Sequence, residues 1–178
     1  QMIYDFGFNT YNAGTTGFDP VISTTLGANT TYILSPRKVG FNPYTSTTSW
    51  NAVSLGFSHG MGIRSDGALF TWGQGINGQL GDGQFSLTRS PIQIGTSSWT
   101  SVGGGSLHSF AINPLGQLYA WGFNNTGQLG LNDTINRSSP VLLGTGVSAS
   151  SWTFVSAGQN HVVAKKTDGT IHAWGLNT

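Results

Sequence analysis

Three histidines recur at one phase of the chain. His59, His108 and His161 each follow a glycine by three residues (Gly56, Gly105, Gly158) and a tryptophan by nine (Trp50, Trp99, Trp152). Imidazoles at matched positions are the raw material of a metal ring. Zinc, however, needs its ligands to converge at ~2.0–2.1 Å, and equivalent residues of a repeat fall on different structural units. Each histidine is therefore expected to bond backbone within its own repeat, and His172 is read as an unmatched extra that packs. The acidic groups offer no matched pair for acid–base work. All six are aspartates; Asp66 and Asp168 precede glycine as hairpin residues, while Asp82 and Asp133 lie in variable loops. No serine sits in a G-x-S-x-G elbow with a partner base. The run GQGING at 73–78 has the glycine spacing of a phosphate loop, but no helix is expected after it, so phosphate binding is not expected either. No catalytic, cofactor or metal residue is assigned, and the chain reads as a non-enzyme. Sequons begin at Asn29, Asn124, Asn132 and Asn136; they would carry glycans only in a eukaryotic secretory setting.

The elements that must position these residues are the copies of a repeat. Trp152 to Gly175 matches Trp99 to Gly122 and Trp50 to Gly73 without a gap. Val53, Val102 and Val155 coincide, as do Gly67, Gly116 and Gly169; Trp72, Trp121 and Trp174 close the copies, each followed by glycine. A fixed period of this length signals an array of supersecondary units. Within a copy, Ala52 to Leu55 and His59 to Arg64 read as strands, and Asp66-Gly67 as a two-residue hairpin turn. Ala68 to Trp72 returns as the third strand. After the Asn77-Gly78-Gln79-Leu80-Gly81 loop, Pro91 to Ile94 gives a fourth, its proline fitting an edge. Four antiparallel strands repeated in about 50 residues make an all-β fold of β-propeller blades. Gly62, Ala111 and Ala164 stay small on the second strand. Leu69, Leu118 and Ile171 face oppositely to the closing tryptophans, so each sheet is expected to be covered on both sides.

Residues 2–8 resemble the end of an earlier copy, with Phe6 in place of the tryptophan. The segments are expected as one continuous propeller domain: 1–49, a degenerate first blade with an insertion within 11–34; 50–98 and 99–151, two full repeats; and 152–178, a partial one. The chain starts with Gln1 and stops inside a repeat, so it is read as a piece of something longer or a processed product. About three blades cannot close a ring of seven, so further repeats or other subunits are expected to complete it.

Composition narrows the function. Charged residues are only 7% of the 178, against ~25% in ordinary domains. Aromatics reach 12%, which rules out a disordered composition. The net charge is +1, and only Arg37-Lys38 and Lys165-Lys166 pair basic residues, so a nucleic-acid groove is not expected. No apolar run of about 18 residues is present to span a membrane. Cysteine is absent, which removes disulfides and thiolate sites.

The pattern W-x2-V-x2-G-x2-H-x7-G-x4-WG, followed by Gly78-Gln79-Leu80-Gly81 and Gly127-Gln128-Leu129-Gly130, resembles repeats of the regulator of chromosome condensation family. The resemblance covers about 50–175 and implies a seven-bladed propeller fold. It also implies three settings. Similar repeats occur in phage virion and tail proteins and bacterial surface proteins. The family's namesake is an intracellular nucleotide-exchange module facing a small GTPase and chromatin. A secreted β-lactamase inhibitor shares the propeller. The plant ultraviolet receptor is similar in fold, but its Gly-Trp-Arg-His-Thr motif is missing here, so light sensing is not expected.

The low charge favours the first setting: a structural and binding module of an extracellular or virion assembly, contacting proteins, a cell-surface receptor or a glycan. The exchange-type module and the inhibitor stand as alternatives. Binding is expected in the variable loops: the 11–34 insertion with Phe18 and Asp19, the 82–89 loop with Phe85 and Arg89, and the 131–138 loop with Asn132 and Arg137.

Overall fold

The computed structural model describes residues 4–8, 32–38, 49–144 and 151–177, with side chains from 49 onward except that of Arg89. The 11–34 insertion, with Phe18 and Asp19, lies almost entirely outside the described residues.

Every described element is a strand. β1 (Tyr4–Phe8) and β2 (Tyr32–Lys38) form a two-stranded antiparallel sheet. β3 (Trp50–Leu55), β4 (His59–Arg64), β5 (Ala68–Gly73) and β6 (Thr88–Ser98) form a four-stranded meander in chain order. β7 (Ser101–Gly104), β8 (His108–Ile112), β9 (Leu118–Gly122) and β10 (Arg137–Leu142) repeat it. β11 (Trp152–Ala157), β12 (His161–Lys166) and β13 (Ile171–Gly175) form a three-stranded sheet with the same order. These are propeller blades, and the described residues form no closed ring.

Three local features differ from the sequence expectation. The hairpins have three-residue loops. The Gly67 N–H bonds Arg64 O, the Gly116 N–H bonds Asn113 O and the Gly169 N–H bonds Lys166 O, with only the glycine at positive φ (89°, 73° and 86°). Asp66 therefore occupies an ordinary turn position, and Gly67 supplies the left-handed step that a two-residue turn would demand of both residues. The fourth strands are longer than Pro91 to Ile94, and their prolines sit inside them. Pro91 falls where the β5–β6 register slips between Thr71 and Gly73, and Pro140 where the β9–β10 register slips before Val141. An edge-strand bulge is a place where a missing N–H costs nothing. Finally, His172 has counterparts. Trp50–Phe70, Trp99–Tyr119 and Trp152–His172 are edge-to-face pairs at 5.6, 5.1 and 5.2 Å, so His172 fills the aromatic slot of its blade.

The blades lean on one another through two apolar clusters. Met61, Ile63, Leu69 and Ile94 of the first meet Trp99, Ala111 and Trp121 of the second. Phe110, Ile112, Leu118 and Leu129 then meet Val155, Val162 and Ala164 of the third. Position 62 stays small because a Cβ on Gly62 would lie 2.9 Å from the Trp50 ring. The chain passes between blades at the hairpins, the Trp99 and Trp152 N–H groups bonding Gly67 O and Gly116 O. In the third blade Ile171 is 70% exposed, whereas Leu69 and Leu118 at the same position are fully buried. Coverage of both faces thus holds for the middle strands of the first two sheets, whereas Val53 and Leu55 on β3 are about half exposed.

Trp121 is fully buried and Trp174 half-buried. Trp121→Ala should cost roughly 3–5 kcal/mol, with Trp174→Ala clearly less, in denaturant unfolding monitored by circular dichroism. Equal losses would contradict the difference in packing.

Candidate functional site

The histidines are fixed by the glycines three residues earlier. The Gly56 N–H bonds His59 O, with the same link at Gly105–His108 and Gly158–His161. This turn lays the imidazole over the glycine; a Cβ on Gly56 or Gly105 would collide with the ring, and one on Gly158 would lie 2.6 Å from it. The G-x2-H spacing therefore records a steric fit.

The ring's partner is not its own backbone, as the sequence reading had it. His59 Nε2 lies 2.8 Å from Ser109 Oγ, on the next blade. The Ser109 hydroxyl donates to Gln79 O at 2.8 Å, so the ring donates to the hydroxyl. A periodic sequence gives the phase of a residue but not its neighbour across a blade boundary. His108 shows the consequence, because Val162 replaces Ser109 and both His108 ring nitrogens are buried without a partner. Burial, and then the neighbouring His108, pushes the His59 ring down to about 3; burial and then His161 push His108 down to about 4. Both are neutral at pH 7. The His59–Ser109 pair is wholly buried, out of reach of any substrate. Among the described residues no group of three or more His, Cys, Asp or Glu is placed to hold a metal.

The G-Q-L-G loops have a structural role. Trp121 Nε1 donates to Gln79 O at 2.9 Å and Trp174 Nε1 to Gln128 O at 3.0 Å, in each case from one blade to the loop of the blade before. The last glycine of each loop has positive φ, and a Cβ there would lie 2.7 or 2.9 Å from that indole nitrogen. Leu80 and Leu129 are fully buried.

The exposed loops offer the surface. The 82–89 and 131–138 loops, on different blades, meet where the Gly83 N–H bonds Ser138 O at 2.8 Å. Gly78 of the preceding loop abuts the Arg137 backbone. Phe85 is 57% exposed and Ile135 63% exposed on this rim. Arg137 pairs with Asp133 Oδ2 and donates to Ile135 O. The Ile135 N–H, and then Arg137, hold the Asp133 carboxyl below its usual range. Asn132 is exposed at φ 59°, and Arg89 lies in β6. Sequence reasoning marked the 131–138 loop without singling out Ile135 or Asp133 as site residues; their only signal was position beside Asn132 and Arg137. The sequon at Asn124 is closed, since Asn124 is buried with its amide donating to Asp133 O and Ile135 O and its Oδ1 accepting from the Leu129 N–H.

Two consequences are measurable. Between pH 6.5 and 4 the unfolded chain protonates these two histidines and the folded chain does not. Their contribution to stability is therefore complete above pH 6.5 and lost as pH falls, at up to about 1.4 kcal/mol per unit for each ring. Urea midpoints measured across that range should drop, and His108→Phe should flatten the slope. Second, Val162→Thr places a hydroxyl between His108 and Gln128 O, as Ser109 lies between His59 and Gln79 O. It should be neutral or stabilising by about 1 kcal/mol, where an unpaired buried hydroxyl would cost about 1–3. A loss of that size in thermal unfolding would refute the equivalence.

Known proteins share these repeats. A family model described as "Regulator of chromosome condensation (RCC1) repeat" matches residues 66–112 and 116–164, and a second of the same description matches 50–79 and 152–178. A Caenorhabditis elegans protein described as an X-linked retinitis pigmentosa GTPase regulator homolog is 36% identical over 126 residues, 71% of this chain but 6% of that protein. Among solved structures, human WBSCR16 is 23% identical with a TM-score of 0.77, over 97% of this chain and 43% of that one. Prp20p from Saccharomyces cerevisiae is 24% identical with a TM-score of 0.75, over 98% of this chain and 39% of that one. The chain spans well under half the length of each of these relatives.

Proposed function

This chain belongs to the regulator of chromosome condensation repeat family, and on that footing we propose that it is a non-enzymatic protein-binding module of the GTPase-regulator type. The observation that carries the reading is its identity to the nematode protein named for GTPase regulation. Prp20p is described with binding properties toward Gsp1p and histones, and yeast Prp20 is solved bound to Kap60, so protein partners suit this architecture. Its chemistry is consistent with such a role. The buried histidines are neutral, and Arg137 and Asp133 on the rim brace the 131–138 loop. The rim formed by the 82–89 and 131–138 loops is our choice of contact surface, because Phe85 and Ile135 are exposed there and aromatic residues and arginine, such as Phe85 and Arg137, are enriched at interfaces.

The extracellular or virion setting drawn from the low charge stands second. It rests on composition and on the settings that the resemblance implies, and the names of the nematode and yeast relatives give it no support. The secreted-inhibitor alternative has no supporting observation either.

The test immobilises the chain and presents small GTPases loaded with fluorescent GDP, following both retention and nucleotide release. Retention of a GTPase, weakened about tenfold or more by Phe85→Ala with Arg137→Ala, is the expected result. If no GTPase is retained and release is not accelerated, the GTPase-regulator reading fails.

A further inference from the structure

Four large apolar side chains stand in water on the loops of the first blade and its seam with the second: Phe57, 83% exposed, Ile76, 57% exposed, and then Phe85 and Ile135. Backbone contacts join their loops into one surface. The Gln74 N–H bonds Ser58 O at 2.8 Å, tying the turn that carries Phe57 to the loop that carries Ile76. Gly75 abuts Ser86 O, so the neighbours of Ile76 and Phe85 touch. The Gly83–Ser138 bond carries the surface on to the loop of Ile135. Resting on the GTPase-regulator reading above, we infer that Phe57 and Ile76 belong to the same contact as Phe85 and Ile135, and that the protein partner meets them with an apolar surface instead of a charged one.

The second blade shows what the fold itself asks of these positions. Residues 50–95 match 99–144 without a gap, which sets Phe57, Ile76 and Phe85 in register with Ser106, Asn125 and Thr134. The backbones agree as well. Gly56–His59 and Gly105–His108 close the same turn at 2.8 Å, and the Gly78 and Gly81 N–H groups each bond the carbonyl three residues back, as those of Gly127 and Gly130 do. Gln79 Oε1 accepts the Asn77 N–H just as Gln128 Oε1 accepts the Thr126 N–H. Serine, asparagine and threonine therefore suffice to build these loops. The fold does not need Phe57, Ile76 or Phe85, and apolar side chains gathered in water mark a surface meant for a partner.

Charge narrows the kind of partner. The described charged side chains of these loops are Asp82, Asp133 and Arg137, and Arg137 is tied to Asp133. Among the described residues here no cation is left to hold an anionic lipid headgroup or a nucleic-acid phosphate. A strongly charged protein face would likewise find little to pair with. An apolar protein surface would bury Phe57 and Phe85, and aromatic residues are enriched at such contacts.

The test immobilises the intact chain and presents small GTPases loaded with fluorescent GDP in about 50 and about 500 mM NaCl. Retention is expected to change less than about threefold between the two, because apolar burial is not screened by salt. Phe57→Ser with Ile76→Asn installs the residues of the second blade and is expected to weaken retention roughly tenfold, whereas Phe57→Leu keeps apolar area and most of the binding. Thermal unfolding checks that the double variant is folded, and Phe57→Ala takes its place if it is not. The apolar anchor is refuted, with the GTPase reading intact, if a GTPase is retained and the double variant holds it equally well, or if the higher salt weakens retention tenfold or more. It is refuted too if these loops instead pair two copies of the chain or bind phosphatidylcholine vesicles, seen as a sedimentation shift that the double variant abolishes while GTPase retention stays. If the unsubstituted chain retains no GTPase, the anchor and the reading beneath it fall together.

Discussion

One hydrogen bond organises this molecule: an indole N–H from one blade reaching the glutamine carbonyl in the loop of the blade before. Trp121 to Gln79 and Trp174 to Gln128 are the two instances. The bond needs a backbone turn tight enough to bring the carbonyl to the ring, hence glycine at positive φ. It also needs a leucine to anchor the turn in the core, and Leu80 and Leu129 are both fully buried. The tetrapeptide that marks the repeat in sequence is the receptor for the tryptophan that marks it 42 or 46 residues later. Trp72 shows the same side chain without that acceptor, its indole nitrogen buried and unpartnered.

From this contact the division of labour follows. Side chains buried against a neighbouring blade serve packing or bonds across the boundary, as Trp121 and His59 do. A titratable ring at the centre of such a boundary is not a catalyst, because burial keeps it neutral and no solvent reaches it. On the outer rim, loops of unequal length and composition come together from adjacent blades. The Asp133–Arg137 pair and the Asn124 amide brace one of those loops from beneath, so the rim is a shaped surface.

Much of the fold was legible in the sequence because the repeat aligns without gaps. The span of β4, the matched tryptophans and the small residues at 62, 111 and 164 all follow from phase alone. What phase cannot convey is which atom a residue meets in the adjoining unit. That is why phase alone points His59 to its own backbone although it bonds Ser109, and why it does not announce the partnerless state of His108, for which Val162 stands at the position of Ser109. The bulges at Pro91 and Pro140 were missed because a proline reads the same at a strand's start as at a slip in its register. The loops were identified by variability, yet their meeting at Gly83 and Ser138 depends on how blades are inclined, which no single repeat encodes.

The indole-to-carbonyl contact also has a polarity. One blade contributes the loop and its successor contributes the ring, so the two surfaces are unlike and neither can match a copy of itself. Twofold, face-to-face pairing cannot reproduce such a joint; addition through it runs head to tail, turning by a constant angle at each step. The angle set between successive units thereby decides between a closed circle and an endless spiral, according to whether the accumulated rotation comes back on itself.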